Sequence, residues 1–225
     1  PSVGGVCGTL VYSSEPGSAT AEVGSVYWRL DEKLRALESR TGNVMGADGS
    51  IFSIRRALYP VFPDTVLDDF TVSMSVAIAG TRLIKAPDVI AFEKSVSERK
   101  DELRRKIRIG ARSYHTHAYL RPQLRKMAAI DRFKYRSRKL LRWFGGVYLA
   151  LGGIFALAAI VSISIPLGLA ALVLLAVAGG LSVYVSRGPL AKIGDAVLAT
   201  FATLIGIFRG MRGQTMATWA PAKSR

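Results

Sequence analysis

Two stretches of this chain run uncharged for long enough to constrain everything else: residues 143–163 and 167–185, parted only by a short segment around Pro166. At about 1.5 Å of rise per helical residue, the first run covers the roughly 30 Å hydrocarbon thickness of a bilayer. The second contains LGLAALVLLAVAGGL, which has no polar face to offer water. A helix apolar all round belongs in lipid rather than in a buried pair within a soluble core. The link Ser164-Ile165-Pro166 is short, and proline suits the first turn of a helix. The pattern predicts a transmembrane helical hairpin over residues 143–185.

Composition matters here through its segregation. Half of the residues are hydrophobic, yet the formal net charge is +15. Arg121, Arg125, Lys126, Arg132, Lys134, Arg136, Arg138, Lys139 and Arg142 precede the first apolar run, opposed only by Asp131. Arg187 and Lys192 follow the second. Basic flanks stay on the cytoplasmic side, which predicts that both ends of the hairpin are cytoplasmic. The basic juxtamembrane segment, residues 121–142, is expected to lie along anionic headgroups. Nucleic acid is set aside as its partner, because no aromatic stacking platform or groove-reading motif accompanies it. A third apolar stretch, 193–208, has Asp195 near its start and Arg209, Arg212, Lys223 and Arg225 after it. An interfacial or partly embedded helix within 190–208 and a third span are both open. The basic tail 209–225 favours the first.

The polar part, residues 1–120, alternates helices with short strands, the pattern of an α/β layer with a mixed sheet. Residues 3–12 read as a strand and 13–19 as a loop. Residues 21–40 read as an amphipathic helix with Val23, Val26, Tyr27, Leu30, Leu34 and Leu37 on one face. Gly42-Asn43 stops it. A short extended piece at 44–45, a turn at 46–49 and a strand at 50–55 follow. After a loop at 60–63, a helix runs over 67–79 to Gly80. Residues 81–85 and 89–93 read as two strands about Pro87. Ser95 to Glu98 form a capping box opening a long helix to about Leu120. The strands are too few for a complete doubly wound domain, and the chain opens at Pro1 directly on a strand. A first half is therefore expected upstream. The single cysteine, Cys7, excludes an internal disulfide framework and reads as a core residue.

Among candidate chemistries, Asp68-Asp69 stand at a helix start, with side chains about 100° apart. They either complement the helix dipole or supply a general base able to take a proton from a sugar hydroxyl. Arg105, Arg108 and Arg112 recur three and four residues apart, on a face other than that of Leu103, Ile107, Tyr114 and Ala118. That stripe is either solvated or headgroup-facing, or a clamp whose guanidinium forks suit a diphosphate. Gly46-Ala47-Asp48-Gly49-Ser50 is either a plain turn or a place where backbone approaches a ligand closely. His115 and His117 lie two apart, a poor spacing for shared metal ligation, and read as surface or headgroup-facing. No zinc spacing, nucleophilic triad or phosphate-binding P-loop is present.

The order of these features is more specific than any one of them. GNVMGADGSIFSIRRALYP, DTVLDDFTVSMSVAIAGTRLIKAPDVIAFE and DELRRKIRIGARSYHT, followed by a membrane hairpin, resemble the processive family 2 glycosyltransferases. The poly-N-acetylglucosamine synthases are nearest, with cellulose and hyaluronan synthases further off. The resemblance implies the C-terminal part of a GT-A-type mixed-sheet domain, followed by the hairpin and a further membrane-associated helix. It makes Asp69 the catalytic base and Asp68 its companion, and sets Gly46, Ala47, Asp48 and Gly49 beside the acceptor's terminal sugar. Arg105, Arg108 and Arg112, with Trp219 of the tail, fall on the donor diphosphate. Arg105-Lys106-Ile107-Arg108-Ile109 stands where the family has Gln-x-x-Arg-Trp, and only Arg108 matches cleanly. The implied partners are a UDP-sugar, a polysaccharide or lipid-linked acceptor and membrane lipids, at the bacterial inner membrane with the catalytic part cytoplasmic. A divalent metal, Mg or Mn, is implied with ligands upstream of this chain, since no Asp-x-Asp motif of the family's kind occurs here. On that reading these residues alone are inactive. The rivals are single transfer to a lipid carrier and a non-catalytic, membrane-anchored binding module.

Overall fold

The computed structural model describes residues 2–13, 19–94, 96, 98–185 and 187–218. A three-stranded mixed sheet has the order β2-β1-β3. Central β1 (Val3–Ser13) pairs antiparallel with β2 (Phe52–Ile54) and parallel with β3 (Arg82–Lys94). Helix α1 (Ala19–Arg40) joins β1 to β2, and α2 (Asp68–Ile78) joins β2 to β3. Then come α3 (Arg99–Leu124), α4 (Ala129–Tyr135), a π-helical turn at Arg136–Leu141, α5 (Gly145–Ile163), α6 (Ile165–Tyr184) and α7 (Gly188–Met211).

The core has α2 at its centre. One side of α2 packs Phe70, Met74 and Ala77 with Met45, Leu120, Leu124, Met127 and Tyr135. The other brings Val76 against Cys7, Val44, Ala47 and Leu83 of the sheet side. With both faces covered, Thr71 and Ser73 are buried along with Phe70, Val72, Met74, Val76 and Ala77. Gly80 ends it at φ 73°, the left-handed geometry that favours glycine.

Several sequence expectations change. Residues 81–85 and 89–93 are not two strands but one, β3. Cys7 pairs with Lys85 and Thr9 with Ile90, so residues 86–89 bulge out of the ladder. Pro87 has no N–H to give and sits where the ladder is already broken. The strand expected at 50–55 shortens to Phe52–Ile54, followed by a 3₁₀ turn at Arg56–Leu58. Of the capping box, Ser95 and Ser97 lie outside the described residues, as does most of the 13–19 loop. The residue capping α3 is Glu98, with no side-chain cap bond.

The largest correction concerns α1. Its apolar stripe faces outward: Val26, Leu30, Leu34 and Leu37 are exposed, and Asp31, Arg35 and Glu38 are buried. What turns the charged face inward is Arg138, which donates to Asp31 at 2.8 Å and pairs with Glu38. Arg35 donates to the same Asp31 oxygen at 2.8 Å. The juxtamembrane cations are therefore not a uniform headgroup-facing set. Lys134 and Arg138 are buried, and Arg142 reaches Asp31 and Tyr27.

Helices α5, α6 and α7 are long and apolar enough to cross a membrane. The share of residues buried is 6% and 11% in the first two but 39% in α7, which the protein itself partly covers. Helix α7 packs along α3 with backbones nearly touching: a Cβ on Gly110 would stand 2.7 Å from the Thr203 carbonyl oxygen. One on Gly206 would meet the Ile107 carbonyl. Ser164, between α5 and α6, accepts from Leu167 N–H. At the other end of the hairpin, Arg99 of α3 donates to the carbonyls of Val183 and Val185 and pairs with buried Asp195 of α7. Thr20 of α1 also donates to Asp195, at 2.7 Å. Helices α6 and α7 are thus pinned to α1 and α3.

Candidate functional site

Asp69 lies in the first turn of α2, partly covered, its Oδ1 accepting the Phe70 N–H at 2.6 Å. Burial raises its pKa above the ordinary carboxylate value against that hydrogen bond, and the nearby charges of Asp68 and Asp48 add to the rise. Lys139 opposes it. Asp68, one residue earlier, is exposed. The N-terminus of α2 is held in place from α3, where Thr116 Oγ1 accepts the Leu67 N–H at 2.8 Å.

The 46–49 loop comes up against this carboxylate. A Cβ built on Gly49 would stand 3.3 Å from Asp69 Oδ2, so the loop backbone comes close to the base and a side chain there would crowd it. Gly46 has φ 92°, and a Cβ there would lie 2.6 Å from Phe70 Cε2; position 46 admits nothing larger. Ala47 N–H donates to Ser73 Oγ of α2 at 3.0 Å. Asp48 Oδ1 accepts the Ser50 N–H at 3.0 Å, an Asx turn.

The loop's approach is fixed by the inverted face of α1. Glu38 accepts the Met45 N–H at 3.0 Å, and Asn43 bridges Leu83 N–H and Asp131 at 2.7 Å each. Glu38 is in turn held by Arg138. Burial alone would raise the Asp31 carboxyl, but the Arg138 and Arg35 guanidiniums beside it hold it well below its usual range. Among the described residues the pairs leave Arg35 Nη1 and Arg138 Nε without a hydrogen-bond partner, and removing one member of a pair strands the charge of the other.

The arginine stripe divides its work. Arg105 makes a bidentate contact with Glu102 at 2.8 and 3.0 Å. Arg112 ties α3 to the carbonyls of Asp64 and Val66. Arg108 is the member under the influence of Asp68 and Asp69, its pKa lowered by burial and by Arg112 and Arg105. Trp219 lies outside the described residues.

Sequence reasoning missed Lys139. Its ammonium sits 4.6 Å from the Phe70 ring centroid and 3.6 Å from where a Gly46 Cβ would be. Burial, with Arg138 and Arg142 nearby, holds its pKa well below the ordinary lysine value. Lys106, a partly covered lysine, is pushed down to about 8 by desolvation against the pull of Glu102. A run of cations beside a membrane hides such residues, because nothing local distinguishes the ones that fold inward. His117 is also not a plain surface residue. It hydrogen-bonds the Tyr135 hydroxyl at 2.8 Å, stacks on that ring and meets Trp143 edge-on.

Among the described residues, no three His, Cys, Asp or Glu side chains converge where a metal could sit. The acidic groups near Asp69 do not fit the divalent ion implied by the resemblance.

No family model matches the chain, and no curated protein does. Among solved structures, it is similar in fold to mannosyltransferase PcManGT from Pyrobaculum calidifontis in complex with GDP-Man and Mn2+. The TM-score is 0.60 and the identity 22%, over 95% of this chain and 55% of that one. The chain therefore has a glycosyltransferase-like fold and spans about half the length of that neighbour.

Proposed function

We propose that this chain supplies the base, the acceptor side and the membrane part of an inverting, family 2-type glycosyltransferase that builds a polysaccharide at the cytoplasmic membrane face. The observation that carries the reading is the meeting of Asp69 with Gly49. A desolvated carboxylate is approached closely by a glycine of the loop, at a helix start braced by α3. The glycosyltransferase-like fold supports it, and so do three helices of membrane-crossing length.

In the proposed reaction Asp69 takes the proton of an acceptor hydroxyl positioned over the 46–49 loop. The oxygen attacks the anomeric carbon from the face opposite the leaving group. The bond from that carbon to the diphosphate oxygen breaks, its electron pair leaves with the nucleoside diphosphate, and configuration inverts. Arg108 is the guanidinium we assign to the departing diphosphate, because it is the stripe member under the influence of Asp68 and Asp69 and the one that matches the family motif. Asp48 and Lys139 set the charge around the base. The donor is a nucleoside-diphosphate sugar. The family resemblance points to UDP, whereas the structural neighbour holds GDP-Man. We assign the nucleotide and its divalent metal, which neutralises the diphosphate when bound, to sequence outside these residues.

The test is Asp69→Asn in the enzyme that contains this chain together with its donor-binding half. Sugar transfer should fall by roughly 10²–10⁴-fold, while binding of the nucleotide sugar, read by calorimetry, stays unchanged. Transfer that survives the substitution would end this assignment and leave the membrane-anchored binding module.

A further inference from the structure

A cavity of about 350 Å³, away from Asp69, opens between the C-terminal end of α3 and the α4–π-turn segment. Arg121, Arg125, Arg132 and Arg136 line it together with His117. Its floor is apolar, made by Leu124, Met127, Tyr135 and Leu140. Tyr135 stacks on Phe70, so the aromatic wall separates this cavity from the base.

Several guanidiniums elsewhere, those of Arg35, Arg99, Arg105, Arg138 and Arg142, have carboxylate partners. Around the cavity, among the described residues, none of the four arginines pairs with a carboxylate. Arg132 donates to the Arg125 carbonyl at 3.0 Å, which fixes one side of the ring without neutralising it. The one carboxylate of α4, Asp131, is turned inward to Asn43 and Lys134. Four like charges facing one cavity repel, and an anion between them removes the cost.

What kind of anion follows from the floor and the surroundings. A free phosphate has no use for Leu124, Met127 and Leu140. A phosphate esterified to an alkyl-bearing group does. On the outward side of α4, Ile130 and Phe133 are 50% and 66% exposed, and Leu141 after it is 56% exposed. Large apolar side chains between arginines, leading directly into α5, suit a segment seated at headgroup depth. We infer that this cavity is a specific binding site for the phosphate headgroup of an anionic membrane phospholipid. It is separate from the acceptor site, and the inference does not depend on the transferase reading.

Native mass spectrometry of the purified full-length protein, from mixed micelles of phosphatidylglycerol and phosphatidylcholine, tests this. Phosphatidylglycerol should be retained selectively. Arg132→Gln with Arg136→Gln should weaken its retention roughly 30-fold, about fivefold for each guanidinium lost. A control pair with the same charge change on exposed α1 positions, Arg29→Gln with Lys33→Gln, should retain the lipid like the parent. Arg132→Lys with Arg136→Lys should keep most of the binding, which separates lost charge from lost fold. Equal retention of phosphatidylcholine, or equal weakening by the control pair, would overturn the proposal. So would displacement of the lipid by inorganic phosphate at matched concentration, which would make the site one for free phosphate. Preference for a short RNA over phosphatidylglycerol would overturn it as well.

Discussion

Asp69 shows how much a few ångströms of cover change a residue's chemistry. Its raised pKa means the charged form is disfavoured in the fold. The sign follows directly: the stability this carboxyl contributes is present below the ordinary carboxylate pKa and is lost as pH rises through the folded-state value. At neutral pH the ionised group is a cost, which an amide does not carry. Asp69→Asn should therefore leave the melting temperature unchanged or raise it while abolishing transfer, a separation that thermal unfolding beside an activity assay would display. The acid limb of the transfer rate should also lie above the usual carboxylate range. Lys139 lowers the Asp69 pKa. Lys139→Met should accordingly move the limb further toward neutral pH, read from the pH profile of kcat/KM. A limb that stays where it was would remove Lys139 from the site. From the sequence, the acidic pair and the glycine loop were both visible as alternatives. Their meeting was implied only by the family resemblance, because no local spacing says that Gly49 and Asp69 face each other.

At the scale of elements, α1 is the instructive case. Its three- and four-residue apolar spacing correctly marks a helix, and that same spacing misleads about which face is inside. Asp31 and Arg138 are 107 residues apart, Glu38 and Arg138 exactly 100, and such pairings leave no local trace. Because the network is buried, breaking it should be costly: Arg138→Gln should destabilise the protein by about 3–5 kcal/mol and loosen the 43–49 loop through Glu38. Denaturant unfolding would measure the first effect, and faster amide exchange at Met45 the second. The packing of α3 on α7 rests on the opposite device, small residues that let two backbones approach. Gly206→Leu must push the helices apart and should cost at least about 1–3 kcal/mol, seen as a lower melting temperature in detergent. A variant as stable as the parent would mean that the two helices do not pack this closely.

For the whole molecule, the chain offers a clean probe of the hairpin's orientation. Cys7 is its single cysteine and is 1% exposed, so Ser164→Cys adds one accessible thiol at the turn between α5 and α6. Basic flanks on both sides predict that this thiol reacts with a membrane-impermeant maleimide added outside intact cells, whereas Gln214→Cys does so only after lysis. The reverse pattern would invert the topology and take Asp69 away from cytoplasmic nucleotide sugars. What the sequence determined by itself was whatever depends on neighbours along the chain. That includes the two lipid-compatible runs, the long helices, the central strand, the glycine stops and the acidic helix start. The tertiary structure alone decided which cations fold inward, which face of α1 is buried, where the loop meets the base and which arginines stay unpaired around a cavity. The division has one cause. Backbone periodicity is written in covalent spacing, whereas charge pairing and close backbone approach join residues a hundred positions apart, and only the folded chain brings those together.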